Sequence, residues 1–160
     1  MLIRNAVMDD LKQLAAVEKE CFPPLEAATE KDIKERLTYY ANHFWLLFDD
    51  NKLVSFVDGM VTDIPDLTDE MYENAQMHNE NGDWQMIFGV NTIPAYRQQG
   101  YAGLLIEQAI ADAKNQERKG LVLTCKDKLV HYYAKFGFVN EGISESVHGN
   151  VTWYQMRLEF

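Results

Sequence analysis

The stretch of sequence that decides the fold reads Pro94-Ala95-Tyr96-Arg97-Gln98-Gln99-Gly100-Tyr101-Ala102-Gly103-Leu104-Leu105. It joins an extended apolar segment to a strongly periodic helix through a polar turn that contains two glycines. Backbone N–H groups without partners collect at such a helix start, at the positive end of the helix dipole, and favour a phosphate. The small residues Gly100, Ala102 and Gly103 let a ligand approach the backbone closely. The turn therefore predicts a phosphate-binding loop.

The turn matches neither of the two common nucleotide signatures, since G-x-x-x-x-G-K-[ST] and G-x-G-x-x-G are both absent. Its pattern is R-x-x-G-x-A, formed by Arg97, Gly100 and Ala102. The helix that follows has its apolar residues at positions i, i+3, i+4, i+7, i+8 and i+11, and they are Ala102, Leu105, Ile106, Ala109, Ile110 and Ala113. This spacing predicts a long helix with one face in the core.

The length of 160 residues predicts a single domain, residues 1–160, and the apolar fraction of 47% is typical of a soluble globular protein. Lys and Arg total 15 against 25 Asp and Glu, and the net charge of −10 disfavours nucleic acid and anionic membranes as partners. Such a charge attracts a cationic small molecule, although solubility alone also explains it. Cys21 and Cys125 form no C-x-x-C pair and are expected as reduced thiols. Because no secretory signal or membrane-length apolar run is present, we expect a cytoplasmic protein.

Strand and helix patterns alternate along the chain and predict a mixed α/β sheet. Strands are expected at residues 2–6, 44–48, 52–61, 84–92, 121–125, from 138 onward and at 151–158. Helices are expected from a cap at Asp9 or Asp10 to Pro23, from a cap at Thr29 to about residue 40, over 66–76, after Gly100 and over 127–136. The acidic segment 63–82 either borders a binding site for a cationic substrate or is a solvated loop.

A second informative stretch, residues 129–138, combines a short aromatic helix, Gly137 and the start of a strand. Leu129, Tyr132, Tyr133 and Phe136 have helical spacing, so the stretch alone is explained by core packing. Combined with the loop upstream, it resembles the Y-x-x-x-G-F pattern of the GNAT superfamily of N-acetyltransferases. The loop and its lead-in Pro94-Ala95-Tyr96-Arg97 resemble the pyrophosphate loop of the same superfamily, with Thr92 in place of the usual valine.

The resemblance implies a mixed, mostly antiparallel central sheet with splayed parallel strands, flanked by helices. It implies acetyl-CoA as co-substrate. No metal is expected, because the four histidines are scattered and form no ligand-spaced pair with Cys or Asp. The implied coenzyme-binding residues are Val90, Asn91 and Thr92 for the pantetheine arm, Gln98, Gln99, Gly100, Tyr101, Ala102 and Gly103 for the pyrophosphate, and Tyr133 near the sulfur. Tyr133 is the implied general acid, because a phenol near the sulfur can donate a proton or a hydrogen bond to the leaving thiolate. The implied reaction is direct acetyl transfer to a primary amine.

Within the superfamily, the chain most resembles the arylalkylamine N-acetyltransferases and their bacterial relatives, which implies a small (aryl)alkylamine as acceptor. The segments that carry this likeness are residues 16–24, 27–29, 97–100, 123–130, 133–138 and 149–152. That group places two histidines, one residue apart, before the coenzyme loop to take the proton of the substrate ammonium. Met86 and Phe88 occupy these positions here, and neither can accept a proton. Deprotonation is left to water held by backbone carbonyls or to a residue of another segment, where His78 and the acidic residues around it are candidates by proximity in sequence.

Several alternatives stay open at this point. The acceptor could be a polyamine, an amino acid or a protein N-terminus, and a non-catalytic acyl-CoA-binding module is the alternative outside the enzymes. A small-molecule amine is the expected partner, and a homodimer is open. The histidines are scattered, and His78 and His131 are expected as surface residues. A further group of aromatic residues either lines an acceptor pocket or belongs to the core, and comprises Phe22, Tyr39, Tyr40, Phe44 and Trp45.

Overall fold

The computed structural model describes the whole chain from Met1 to Phe160 as two sheets with helices packed against them. The first sheet is antiparallel, in the order β1 (Leu2–Asn5), β2 (Phe44–Asp49), β3 (Lys52–Asp58) and β6 (Gly89–Thr92). The second sheet has the order β4 (Val61–Thr62), β5 (Trp84–Ile87), β7 (Gly120–Cys125), β9 (Tyr154–Glu159) and β8 (Val139–Ile143). Its β5 and β7 are parallel and its other pairs are antiparallel, which confirms the expected mixed, mostly antiparallel arrangement.

The helices are α1 (Leu11–Cys21), α2 (Glu30–Tyr40), α3 (Asp69–Glu73), α4 (Tyr101–Asn115) and α5 (Val130–Ala134). The expected cap of α2 is present, because Thr29 Oγ1 accepts the N–H of Asp32 at 3.1 Å and the Asp32 carboxylate accepts the N–H of Thr29. The expectation that an aspartate side chain caps α1 is wrong. Asp10 does not cap the helix and instead binds Arg4 through two contacts of 2.8 and 2.9 Å.

The chain changes sheets at Phe88, where the expected single strand over 84–92 is divided. Before this residue β5 pairs with β7, and after it β6 pairs with β3. The expected strand over 52–61 is interrupted in the same region, at Gly59. A Cβ on Gly59 would lie 1.8 Å from the carbonyl oxygen of Met86, so only glycine allows this approach. Because β5 pairs with β7 and β6 pairs with β3, the chain after Phe88 moves away from β7, and a cleft opens between the two sheets. This is the expected splay.

Helix α4 spans the route from the loop to β7, and its apolar stripe packs in the core as expected. Leu105, Ile106, Ala109 and Ala113 are buried. Burial of each leucine or isoleucine side chain stabilises the fold by roughly 1.5–3 kcal/mol. The helix is also tied to the first sheet, because Trp45 Nε1 donates to Asp112 Oδ2 at 2.8 Å. This packing fixes the position of the loop at the start of α4.

Two smaller expectations need correction. The acidic segment contains only the five-residue α3 rather than a helix over 66–76. The last strand begins at Tyr154 instead of residue 151, because Gly149 and Asn150 adopt left-handed backbone with φ of 65° and 57° and turn the chain. No helix of the protein is long and apolar enough to cross a membrane.

Candidate active site

Two adjoining cavities lie in the cleft between the sheets. The loop cavity, of about 660 Å³, is bounded by the turn that begins at Arg97 and by β6. The aromatic cavity, of about 300 Å³, lies between β6, β7, α1, α2 and α3. The residues that line both are Phe22, Glu26, Val90, Leu129, Tyr133 and Trp153. The two cavities therefore adjoin at these residues, and Tyr133 is one of them.

The turn before α4 is shaped by left-handed backbone at Gln98, with φ of 63°, and at Gly100, with φ of 81°. Arg97 Nε donates to the carbonyl oxygen of Thr92 at 2.8 Å and holds the turn against β6. None of the backbone N–H groups of residues 98–103 donates a hydrogen bond within the chain. A Cβ on Gly100 would meet nothing within 4 Å, so the loop is open on this side. Six consecutive free donors at a helix start form an anion-binding arrangement.

Strand β6 has a free edge along the loop cavity, since its only partner is β3. The N–H of Ile93 donates to Val54, on the β3 side. Because N–H groups alternate sides along a strand, the N–H and C=O of Val90 point to the free edge. An extended ligand can pair with this edge as an added strand.

Most of the residues expected to bind the coenzyme line the loop cavity, namely Val90, Thr92, Gln98, Gly100, Tyr101, Ala102 and Tyr133. Gln99 and Gly103 are in the turn but do not line it, and Asn91 is buried on the opposite face of β6. A Cβ on Gly103 would lie 3.3 Å from the ring of Phe136, so this glycine allows close packing of α4 on the following segment.

Lysines 126 and 128 were missed by the sequence reasoning, although both line the loop cavity. They follow the carboxyl end of β7, which is where ligands commonly bind in α/β folds, and this position was the available signal. Lys126 Nζ contacts the Glu26 carboxylate at 3.1 Å, while Lys128 is exposed. With Arg97, the loop cavity has three cations and one carboxylate in a protein of net charge −10.

Tyr133 lies on α5 and is only 6% exposed. Its ring packs edge-on against Tyr132 and Phe138, at centroid distances of 5.1 and 6.3 Å. The hydroxyl makes no hydrogen bond with any other residue, and burial raises the pKa of the phenol well above its usual range. The side chain is thus a protonated donor at neutral pH, held between the two cavities.

Cys125, at the end of β7, also lines the aromatic cavity. Burial raises the pKa of this thiol to about 11, and its Sγ lies 3.6 Å from the sulfur of Met156. Since the thiolate is the nucleophilic form, Cys125 is not activated for covalent chemistry.

The aromatic cavity is walled by rings that the sequence reasoning largely missed. The ring centroids of Phe88 and Tyr72 are 4.7 Å apart. The Tyr72 ring stacks on His148 with a centroid distance of 5.0 Å, and the centroids of His148 and Trp153 are 6.2 Å apart. Of the aromatic group expected as pocket or core, only Phe22 lines either of these two cavities. Tyr40, Phe44 and Trp45 are buried in the core, and Tyr39 is exposed.

Four carboxylates and one guanidinium line the aromatic cavity, namely Glu18, Glu26, Asp32, Glu73 and Arg36. Most carboxylates of the acidic segment are instead paired elsewhere, as Asp66 is with Arg157 at 2.8 Å and Asp69 with the N–H of Val147 at 3.0 Å. From this segment, Tyr72 and Glu73 are the residues that reach the cavity. The excess of carboxylates favours a cationic ligand there.

A separate cluster, the histidine network, joins His43, His78, Glu80, Gln85 and Arg118. His78 was expected at the surface, but its side chain is 6% exposed, whereas His131 is exposed as expected. Both histidine Nε2 atoms contact the Glu80 carboxylate, at 2.9 and 3.0 Å, and so does Arg118 at 3.0 Å.

The histidine network has three groups with the proximity of metal ligands. However, His78 Nδ1 accepts the N–H of Val61 at 3.0 Å, so Nε2 carries the proton of the neutral ring. His43 Nδ1 contacts Gln85 Oε1 at 2.8 Å, and Gln85 donates its amide to backbone carbonyls. The network is therefore satisfied by hydrogen bonds within the chain.

Comparison with known proteins agrees with this geometry. Residues 9–138 match the model of the Acetyltransferase (GNAT) family. The chain belongs to the GNAT acetyltransferase family. This GNAT chain is 28% identical over 111 residues to serotonin N-acetyltransferase of Mesocricetus auratus, which covers 69% of the chain and 52% of that protein. The chain thus spans about half the length of this relative.

Solved structures share the GNAT fold over the whole chain. The GNAT-like decarboxylase GphF in complex with isobutyryl-CoA has a TM-score of 0.85 and 21% identity, with 99% of each chain covered. The PaiA N-acetyltransferase of Thermoplasma acidophilum in complex with coenzyme A has a TM-score of 0.73 and 15% identity, over 99% of this chain and 98% of that one. At these identities the likeness shows the fold of this GNAT protein and nothing about its substrate.

Proposed function

We propose that the protein transfers an acetyl group from acetyl-CoA directly to a small primary amine with an aromatic or apolar body. The observation that carries this proposal is the pair of adjoining cavities of opposite charge that share Tyr133 in their linings. One cavity favours the phosphates of a donor, and the other favours the ammonium group of an acceptor.

The donor part of the proposal rests on the turn at Gln98–Gly103 and on β6. The six free N–H groups at the start of α4 receive the pyrophosphate, and Arg97, Lys126 and Lys128 supply positive charge around it. The pantetheine arm runs along the free edge at Val90 towards Tyr133. Acetyl-CoA is the donor implied by membership of the family.

The acceptor part rests on the lining of the aromatic cavity. A volume of about 300 Å³ suits a small molecule. Phe88, Tyr72 and Trp153 offer ring faces to an apolar or aromatic body, and aromatic faces also attract a cation. The surrounding carboxylates favour an ammonium over an anion. These features support an arylalkylamine-like acceptor over an acidic one.

The Tyr133 phenol acts as a hydrogen-bond donor to the sulfur. A thiol has a pKa of about 8.5, so full proton transfer from a phenol whose pKa is raised further is unfavourable. A hydrogen bond to the departing sulfur still stabilises the charge that develops in the transition state. The rest of the rate enhancement comes from holding the amine next to the thioester carbon.

The proposal is tested by measuring thiol release from acetyl-CoA across a panel of arylalkylamines, polyamines and amino acids. We expect the highest kcat/KM with arylalkylamines. Tyr133→Phe should lower kcat by about 100-fold and leave the Kd for acetyl-CoA nearly unchanged, because one transition-state hydrogen bond is lost. Tyr40→Phe is the matched control, since Tyr40 is a buried tyrosine with an unpaired hydroxyl outside both cavities.

The outcomes separate the alternatives. Tight binding of acetyl-CoA without turnover on any amine would overturn the transfer reaction in favour of an acyl-CoA-binding module. A protein that does not bind acetyl-CoA, measured by calorimetry, would overturn the proposal entirely. Equal activities of the Tyr133→Phe and Tyr40→Phe variants would remove the assigned role of Tyr133.

A further inference from the structure

Four polar side chains from four elements converge at the end of the aromatic cavity next to Gly89. They are Glu18 of α1, Arg36 of α2, Asp58 of β3 and Asn91 of β6, and each is at most 5% exposed. We refer to these four residues as the open cluster. Arg36 donates to Asp58 Oδ2 at 3.1 Å and to the carbonyl oxygen of Tyr72 at 3.0 Å. Glu18 and Arg36 line the cavity itself.

Several atoms of the open cluster have no hydrogen-bond partner, although they are buried. They are Arg36 Nε, Asp58 Oδ1 and both amide atoms of Asn91. A buried polar group without a partner costs about 1–3 kcal/mol, so such groups are rare outside functional sites. Their number here marks a polar space beside the cavity that water or the polar group of a ligand can complete.

Two of these atoms, together with one carboxylate oxygen of Glu18, border one small space above Gly89. A Cβ placed on this glycine would lie 2.9 Å from Asn91 Nδ2, 3.0 Å from Asp58 Oδ1 and 3.5 Å from Glu18 Oε1. Any other residue at position 89 would fill this space. The absence of a side chain at Gly89 keeps the polar ends of three elements accessible from one point.

The two carboxylate oxygens of Glu18 have different surroundings. Oε2 accepts the N–H of Ala28 at 2.9 Å, which fixes the side chain. Oε1 faces the space above Gly89 and makes no such bond. We infer that Glu18 is the proton acceptor that converts the bound ammonium of the substrate into the reactive amine, and this inference rests on the proposed function.

The proposed step is balanced as follows. The Glu18 carboxylate takes one proton from R–NH₃⁺, which leaves a neutral amine and a carboxylic acid. The amine lone pair forms the C–N bond with the acetyl carbon, and the C–S bond breaks with its electron pair on sulfur. A second N–H proton is transferred to this thiolate, which becomes the thiol. Glu18 then releases its proton to solvent. The products are the amide, CoA–SH and one H⁺.

The charge environment suits this role. Burial, and then the negative charge of Asp58, raise the pKa of Glu18 to about 7, while the Ala28 N–H, the positive charge of Arg36 and the adjacent Asn91 amide act in the opposite direction. The groups that face Glu18 are Arg36 from α2, Asp58 from β3, the uncharged Asn91 from β6 and the Cys21 thiol on α1 itself. A base with a pKa near the working pH is the most effective kind.

The test is the pH dependence of kcat/KM with an acceptor amine whose pKa is about 10. In the wild type, kcat/KM should rise through an inflection near pH 7 and then level off, as Glu18 becomes ionised. Glu18→Gln keeps an oxygen for the Ala28 N–H but cannot take a proton. It should lower kcat/KM by about 100-fold at neutral pH and replace the plateau with a continuous rise towards the pKa of the amine.

Glu80→Gln is the matched control, because Glu80 lies in the histidine network and lines neither cavity. Its kcat/KM profile should follow that of the wild type. Acetyl-CoA binding and the melting temperature are measured for each variant. If Glu18→Gln does not fold, the wild-type profile decides, together with Glu18→Asp, which should keep the plateau at a lower rate.

Three outcomes would overturn the inference. The first is a wild-type profile that rises without a plateau to the pKa of the amine. The second is a Glu18→Gln variant that keeps the plateau and the rate. The third is loss of the plateau in His148→Gln instead, since His148 also lines the aromatic cavity. In all three cases the wild type still acetylates amines, so the proposed function stands. If it acetylates none, the proposed function itself fails.

Discussion

The two carboxylates Glu18 and Glu80 each belong to a cluster of polar side chains, but the two clusters differ in burial and in how many of their atoms are hydrogen-bonded. In the histidine network, Glu80 is half-exposed and its oxygens are shared among His43, His78 and Arg118. In the open cluster, Glu18 is almost fully buried and its neighbours retain unpaired atoms beside a cavity. The pKa of Glu80 is lowered to about 2, because hydrogen bonds from the two histidines outweigh the effect of burial, while burial raises the pKa of Glu18 to about 7.

The difference separates polar groups that support the fold from polar groups that serve a ligand. A satisfied network gains hydrogen bonds for every group that folding removes from water. Unpaired groups beside a cavity reduce stability and are retained where a ligand completes them. Substitutions in the two clusters should therefore affect stability and activity in different proportions.

The largest change in stability is expected from Arg36→Met. It leaves the buried Asp58 carboxylate without its cation, and removal of one partner of a buried ion pair costs about 3–5 kcal/mol. Urea unfolding followed by circular dichroism measures the loss. The double variant Arg36→Met/Asp58→Asn should recover at least half of it, because position 58 then carries no charge that needs a partner. A single variant within 1 kcal/mol of the wild type would contradict the ion-pair assignment, since ~3 kcal/mol is the lower expected value.

A smaller loss is expected from Glu80→Gln. Charge-assisted hydrogen bonds to His43, His78 and Arg118 are lost, but half of the Glu80 side chain faces solvent. We expect the free energy of unfolding to fall by about 1–2 kcal/mol at pH 6. The same unfolding experiment, repeated between pH 6 and pH 2.5, measures how the loss changes with pH.

The pH dependence of this loss has a defined sign. The folded pKa of Glu80, about 2, lies below the unfolded value of 4.5, so its stabilisation is present above pH 4.5 and is lost as the pH falls towards 2. The difference between wild type and Glu80→Gln should therefore shrink in acid. For Glu18, whose folded pKa of about 7 lies above 4.5, the contribution is present below pH 4.5 and is lost as the pH rises through 7. A constant difference across the acid range would argue against the assigned role of Glu80.

The smallest change in stability is expected from Asn91→Leu. Both amide atoms of Asn91 are buried and unpaired, and leucine has a similar volume without polar atoms. The free energy of unfolding should stay unchanged or rise by up to about 1 kcal/mol, while kcat/KM should fall. Chemical denaturation and the amine assay on the same preparation test both statements. A loss of stability beyond 2 kcal/mol would mean that the Asn91 amide is satisfied in the fold, since an unsatisfied group costs rather than contributes about 1–3 kcal/mol.

Local signals predicted much of the fold. The stripe on α4 and the capping box at Thr29 are set by residues within a few positions of one another, and the structure has them as expected. The loop and Tyr133 were placed by motif spacing, and the structure brings both to one cavity. Such features depend on short-range chemistry that the sequence displays directly.

Features that depend on distant residues were not predicted. The burial of Glu18 depends on the segment after α1 folding back, so that Ala28 donates to the carboxylate. The histidine network joins residues about forty positions apart, such as His43 and Gln85. The segment 84–92 is mostly apolar on both sides of Phe88, so its pattern gave no sign of a division there. These arrangements arise from tertiary packing, which local periodicity does not encode.

The division at Phe88 also determines on which face of β6 each side chain lies. Neighbouring residues on a strand point to opposite faces, so Val90 and Thr92 reach the loop cavity while Asn91 points to the open cluster. Deletion of one residue at this position would exchange the two faces and turn Asn91 towards the loop cavity. A single residue between two sheets thus determines which side chains of β6 face each cavity, and changes in chain length there would alter both cavities together.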